Sequence, residues 1–69
     1  METYDIYFKD EHDCANKGFS IKNKEKAIRM AEDMLTERKG YVKDFVGGTI
    51  SVVRKETKEE VWAKPIPEA

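Results

Sequence analysis

The spacing of apolar residues changes twice along this chain, and each change restricts the fold. Every second residue is apolar in two stretches, at Tyr4, Ile6 and Phe8 and again at Ile50, Val52, Val61 and Ala63. Between them the spacing is helical, at Ala27, Ile28, Ala31, Met34 and Leu35. Alternation is typical of strands with one buried face, and a period of 3.6 residues is typical of an amphipathic helix. The order therefore predicts a strand, then a helix, then a strand hairpin.

The boundaries of these elements follow from residues with known preferences. We expect the first strand at residues 3–9 and a polar loop at Asp10–Gly18. The helix is expected at Lys24–Lys39, with Asn23 as its N-cap and Gly40 closing its last turn.

Two strands are predicted after the helix, at Thr49–Lys55 and Glu60–Lys64. Tyr41–Val46 is ambiguous, because apolar residues fall on both of its faces. The pair Gly47 and Gly48 suits a tight hairpin turn, which slightly favours a short strand there. The sequence thus predicts a single α+β domain over residues 1–69. It has two layers, one helix packed on a small three- or four-stranded antiparallel sheet, in the order β-α-(β)-β-β.

Charge and cysteine content restrict the class of function. The 69 residues carry 13 Lys and Arg against 14 Asp and Glu, a formal charge of −1, so no overall field attracts nucleic acid or an anionic membrane. Cys14 is the only cysteine, which excludes an internal disulfide and favours a reducing, cytoplasmic location. The first ten residues, METYDIYFKD, contain acids and no long apolar run. We therefore expect neither a signal peptide nor a membrane span.

The segment Asp10–Cys14 contains the residue types that metal sites and thiol enzymes use. No second His or Cys exists to complete a transition-metal site with His12 and Cys14. A catalytic thiol also meets its imidazole through the fold, not from two residues away. We expect a solvated acidic loop here, and no catalytic residues, metal, cofactor or small-molecule substrate. The lysines around the start of the helix are likewise expected to form a solvated face.

The sheet offers the candidate binding surface, because one helix covers only one face. If Tyr4, Ile6 and Phe8 face the helix, then Tyr7, Val53 and Trp62 lie on the other face, beside Lys55 and Lys64. In the alternative register Trp62 packs under the helix, and Val61 and Ala63 point away from it. A slip of one residue exchanges the two faces, and both registers remain open at this point.

Two hypotheses follow for the function. The first is a small non-enzymatic protein-binding module, an adaptor, an inhibitor or a self-associating protein, that contacts a protein partner or a second copy through Tyr7, Val53, Trp62, Lys55 and Lys64. The second is a nucleic-acid-binding module in which aromatic and basic residues of the sheet stack on bases. The acidic charge balance argues against the second hypothesis.

Overall fold

The computed structural model describes residues 2–38 and 40–67, which form a helical layer on a four-stranded antiparallel sheet. The elements are β1 (Tyr4–Lys9), β2 (Cys14–Asn16), α1 (Lys24–Glu37), a 3-10 helix (Gly40–Lys43), β3 (Thr49–Arg54) and β4 (Glu59–Pro65). The strand order is β2-β1-β3-β4. The predicted two-layer α+β class is confirmed.

The fourth strand lies before the helix, not after it. Cys14–Asn16, in the segment predicted as a polar loop, pairs with the second half of β1 as β2. Tyr41–Val46 does not form the short strand that was slightly favoured. Val42 and Phe45 are spaced three apart, so a 3-10 helix and the following turn bury both of them in the core.

The glycine pair also has a different role from the predicted hairpin turn. Gly47 has a φ of 86°, and its N–H donates to the carbonyl oxygen of Ile66 at 3.0 Å. The Ile66 N–H in turn donates to the Gly48 carbonyl at 2.9 Å. The glycines therefore join the start of β3 to the segment that follows β4, and they bring Ile66 into the core.

The helix begins as predicted and ends earlier. Asn23 is confirmed as the N-cap, because its side-chain oxygen accepts the N–H of Lys26 at 3.0 Å. Arg38, with a φ of 53°, takes the left-handed conformation and donates its N–H to the Met34 carbonyl. The helix therefore closes two residues before Gly40, so the prediction that Gly40 closes it is wrong. Lys39, the predicted last helical residue, lies outside the described residues.

Small side chains bring the helix close to the sheet. Ala27 and Ala31 are fully buried, whereas Ile28, Met34 and Leu35 are partly buried around them. The helix packs mainly on the two central strands, β1 and β3. The sheet contributes Ile6, Phe8, Ile50 and Val52 to the core, all fully buried. Phe8 also stacks on Phe45, with ring centres 6.1 Å apart.

The chain path is a split β-α-β unit. β2 and β3 are both antiparallel to β1, so they are parallel to each other, and β1 lies between them. The helix connects β2 to β3 across β1. Within residues 2–38 and 40–67, no helix combines the length and the apolar composition that crossing a bilayer requires.

Candidate functional site

The sheet register separates the predicted contact residues. Tyr7 pairs with Ser51 and Val53 pairs with Asp5, all on the side of the sheet away from the helix. Trp62 pairs with Val52, which faces the helix and is fully buried. Trp62 is itself partly buried and packs against the core. Its predicted place beside Tyr7 and Val53 is therefore wrong, because the register of β4 turns the large apolar surface of the indole towards the core.

Neither register considered from the sequence describes all of β4. A β-bulge interrupts the pairing between Val52 and Val53, because Trp62 pairs with Val52 and Glu60 with Val53. Val61 is the extra residue, and it packs against the core instead of pointing away from it with Ala63. The bulge places Glu60 on the same face as Val53.

The two predicted lysines lie elsewhere. Lys64 pairs with Ile50 on the helix side, where its Nζ lies 3.7 Å from the carboxylate of Glu32 on the helix. Lys55 lies in the turn that follows β3, and its Nζ donates to the hydroxyl of Ser20 at 3.1 Å. Of the five predicted residues, the structure brings Tyr7 and Val53 together on one face, and Trp62 and Lys64 together on the helix side, where the Lys64 Nζ lies 6.0 Å from the centre of the Trp62 ring.

We call the side of the sheet away from the helix the open sheet face. Residue pairing gives its members as Lys9, Thr49 and Pro65 in one row, Tyr7, Ser51 and Ala63 in the next, and Asp5, Val53 and Glu60 in the third. Cys14 and Asn16 on β2 extend the first two rows. Apart from Tyr7, the central row consists of small side chains. The middle of the face therefore consists of small side chains next to a single aromatic ring, that of Tyr7.

A shallow concavity of about 320 Å³ occupies this face, lined by Tyr7, Lys9, Cys14, Ser51, Val53, Lys58 and Glu60 together with part of Phe8. Ser51 is only 3% exposed and Val53 9%, although no helix covers them. The Tyr7 ring is partly exposed, and its hydroxyl has no hydrogen-bond partner in the described part of the chain. An aromatic ring with a free hydroxyl can supply both apolar contact and a hydrogen bond to a partner.

Asp5 closes the other end of this face, and the sequence analysis missed its role. Its side chain is 1% exposed and accepts four hydrogen bonds of 2.7 to 3.1 Å. The donors are the backbone N–H groups of Ile6, Gly18 and Phe19 and the side-chain amide of Asn16. The carboxylate thereby fixes the connection from β2 to the helix. In the sequence, an acidic residue that alternates with apolar residues on a strand has the pattern of a solvated side chain. The burial of Asp5 could therefore not be predicted.

Some charged groups have a charged or aromatic partner, whereas several exposed ones, such as Lys22, Lys24 and Lys43, have none among the described residues. Arg54 contacts Glu2 at 3.5 Å and Glu59 at 3.2 Å, and Lys17 lies 5.1 Å above the Tyr41 ring. The Tyr4 hydroxyl, followed by the nearby carboxylates, raises the pKa of Arg54. By contrast, among residues 2–38 and 40–67, the exposed groups that line the concavity form no ion pair; they are Lys9, Lys58 and Glu60.

The acidic segment after β1 forms a turn. One oxygen of the Asp10 carboxylate accepts the N–H groups of His12 and Asp13, both at 2.8 Å. These two bonds lower the pKa of Asp10. Cys14 is exposed on β2, and no three His, Cys, Asp or Glu side chains of the described residues lie together as metal ligands would. The structure accounts for Asp10 as a residue that stabilises the turn.

The basic residues around the helix start are exposed, as expected for a solvated face. They are Lys17, Lys22, Lys24 and Lys26. A groove of about 480 Å³ beside the helix contains Lys26 and Arg29, but Glu25 and Asp33 line the same groove. Acidic and basic groups are therefore mixed along this side of the helix.

Comparison with known proteins adds no assignment to this geometry. No family model matches the chain, and neither a curated protein nor a solved structure is significantly similar to it.

Proposed function

We propose that this chain is a small, non-enzymatic protein-binding module of the cytoplasm, and that its contact surface is the open sheet face. The observation that supports the proposal is a concavity floored by small and apolar side chains, around which several polar groups contact no other described side chain. The Tyr7 hydroxyl, Lys9, Lys58 and Glu60 all lack partners among the described residues, and all surround the floor made by Ser51 and Val53.

The chemistry of this surface favours a protein over other ligands. Its centre combines one aromatic ring with small side chains, and its margin carries both signs of charge. Interfaces between proteins commonly have aromatic residues at the centre and polar groups at the rim. The matching partner surface has an apolar centre, with a carboxylate opposite Lys9 and a basic group opposite Glu60.

Nucleic-acid binding has less support. A stacking platform needs aromatic rings and cations on one face. Tyr7 and Trp62 lie on opposite faces, and Lys64 contacts Glu32 on the helix. Lys64 does lie 6.0 Å from the centre of the Trp62 ring, but the indole packs against the core and the lysine also contacts Glu32, so this pair offers no free stacking surface.

Photo-crosslinking tests the proposal. p-Benzoylphenylalanine is placed at position 7 in one variant and at position 41 in another, and both are irradiated in the cells that produce them. Tyr41 is a matched control, because it is a tyrosine that is 39% exposed and lies on the helix side of the molecule. We expect a discrete protein adduct from position 7 and none from position 41. An absence of adducts at position 7, or the same adducts from both positions, would contradict the proposal.

A further inference from the structure

Lys9 and Glu60, which form no ion pair within residues 2–38 and 40–67, mark the ends of a diagonal across the open sheet face. Lys9 lies on β1 opposite Thr49, and Glu60 lies on β4 opposite Val53. Strands lie about 4.8 Å apart and rise about 3.4 Å per residue, so the two positions are about 10 Å apart across the sheet and about 14 Å apart along it. β3 lies between β1 and β4, and Ser51 is halfway between Thr49 and Val53. Ser51 is therefore the midpoint of the diagonal.

The pair formed by Lys9 and Glu60 is complementary to itself, and Lys58, the third charge that lines the concavity, takes no part in this pairing. A second copy is placed face to face with the first, and the two-fold axis lies between the two faces, above Ser51 and at right angles to the diagonal. This rotation exchanges the two ends of the diagonal. Lys9 then meets Glu60 of a second copy, and Glu60 meets Lys9 of that copy, so that one symmetric contact forms two ion pairs. We infer that the protein bound at the open sheet face is a second copy of this chain, an inference that rests on the function proposed above.

The centre of the face suits the same axis. Tyr7 is paired directly with Ser51 in the sheet, so the axis brings the two Tyr7 side chains next to each other. Ser51 is small, and the concavity of about 320 Å³ that it lines lies next to the Tyr7 ring. Burial of a ring pair at the centre, with charges at the rim, is the arrangement that concentrates binding energy in protein interfaces.

The opposite edges of the sheet are poorly suited to pairing between copies. β4 carries the bulge at Val61, and Pro65 has no N–H to donate to a neighbouring strand. β2 has only three residues. Contact between copies through a face therefore has fewer obstacles than extension of the sheet through an edge.

The size of the face sets the expected strength. Three strands of six or seven residues and the three-residue β2 give a face of about 350 Å² per copy. This is about half of the roughly 800 Å² that each partner buries in a standard interface. The dimer is therefore expected to be weak and reversible, and its affinity should fall as salt concentration rises.

Charge exchange tests the arrangement. Sedimentation equilibrium up to about 1 mM protein, a range that covers weak affinities, is measured for the wild type, Lys9→Glu, Glu60→Lys and the double variant. Each single variant places like charges together twice in the dimer, so we expect its Kd to rise at least about fivefold. The double variant restores both pairs and should return to within about twofold of the wild type. Lys43→Glu and Asp44→Lys are charge-matched controls at exposed positions outside the open sheet face, and they should leave the Kd unchanged.

Three results would overturn the inference. They are a wild type that stays monomeric throughout this range, single variants with an unaltered Kd, and a double variant that fails to recover. Near-ultraviolet circular dichroism of every variant ensures that only folded proteins are compared. The photo-crosslinking experiment separates this failure from that of the proposed function. A crosslink from position 7 to a different protein would support the proposed binding function and contradict the inference that the partner is a second copy of this chain.

Discussion

The backbone of Gly48 lies so close to the carbonyl oxygen of Lys9 that a β-carbon at position 48 would overlap that oxygen. The contact is between the end of β1 and the residue that precedes β3. The Gly48 carbonyl also accepts the N–H of Ile66 at 2.9 Å. The absence of a side chain at one residue therefore allows three segments of the chain to meet.

Substitution of Gly48 should be more destabilising than substitution of a glycine in open space. Gly48→Ala forces backbone atoms apart, so we expect the free energy of unfolding to fall by about 3 kcal/mol. Gly18→Ala is the control, because no atom lies within 4 Å of its added β-carbon and only its φ of 79° is unfavourable. That strain costs about 1 to 2 kcal/mol. Urea unfolding followed by Trp62 fluorescence measures both, and equal losses would show that the Lys9 contact has no effect.

Loss of the Asp5 carboxylate should release the connection between β2 and the helix. Asp5→Ala leaves the N–H groups of Gly18 and Phe19 without an acceptor, and we expect a loss of about 3 kcal/mol or more. Asn16→Ala removes one donor at an exposed position and should cost only about 1 kcal/mol. Hydrogen exchange of the two backbone amides gives a local readout. Continued protection of both amides in Asp5→Ala would contradict this role.

Acid should remove the stabilising effect of Asp10. The N–H groups of His12 and Asp13 hold its pKa below the ordinary value in the folded protein. A carboxyl group with a lowered folded pKa stabilises the fold above its unfolded pKa, and this stabilisation is lost as pH falls through the folded pKa. We therefore expect Asp10→Asn to be less stable than the wild type at pH 7, and the two to converge as the pH falls below the ordinary aspartate pKa of about 3.9 and through the lowered folded pKa.

Urea midpoints at a series of pH values measure this effect. Glu11→Gln is the control, because Glu11 lies in the same turn and accepts no hydrogen bond from the described residues. A constant difference between Asp10→Asn and the wild type at all pH values would show that the charge of Asp10 has no part in it.

The degree of burial predicts which of two core residues, Phe8 or Leu35, contributes more to the free energy of unfolding. Phe8 is fully buried and contacts the rings of Tyr41 and Phe45, so Phe8→Ala should cost about 3 to 5 kcal/mol. Leu35 is only partly buried on the outer part of the helix stripe, and Leu35→Ala should cost about 1 to 2 kcal/mol. Unfolding midpoints decide the order, and a reversed order would contradict the helix orientation.

Substitution of Trp62 should affect the stability of the fold, whereas substitution of Tyr7 should affect association between copies. Trp62 packs against the core, so Trp62→Ala should lower the free energy of unfolding by about 2 kcal/mol and leave the dimer Kd of the folded protein unchanged. Tyr7→Ala should instead raise the dimer Kd, because the ring lies at the centre of the open sheet face. Calorimetry and sedimentation measure the two quantities. Loss of association in Trp62→Ala with no change in stability would reverse this assignment.

Periodicity and capping preferences were sufficient for most of the fold. β1, the helix, β3 and β4 lie where the spacing of apolar residues predicts them, and Asn23 caps the helix. The sequence placed Tyr7 and Val53 on the open sheet face correctly, but not Trp62. The bulge at Val61 breaks the alternation from which the side of each β4 residue is predicted. β2 has three residues, too few for a period to be visible. The 3-10 helix depends on the burial of Val42 and Phe45, which comes from tertiary packing and not from local preference.

The position of β1 between two strands that follow it in the chain has a consequence for synthesis on the ribosome. β2 lies close behind β1 in the chain, so the β1–β2 hairpin can form early, with the Asp10 carboxylate holding its turn. The other edge of β1 pairs with Thr49–Arg54, which emerges only after the whole helix has been made. Until then a nascent chain presents the apolar side chains of Ile6 and Phe8 on a strand with one open edge. The central strand pairing, and with it the shielding of these side chains, therefore has to wait until β3 has emerged.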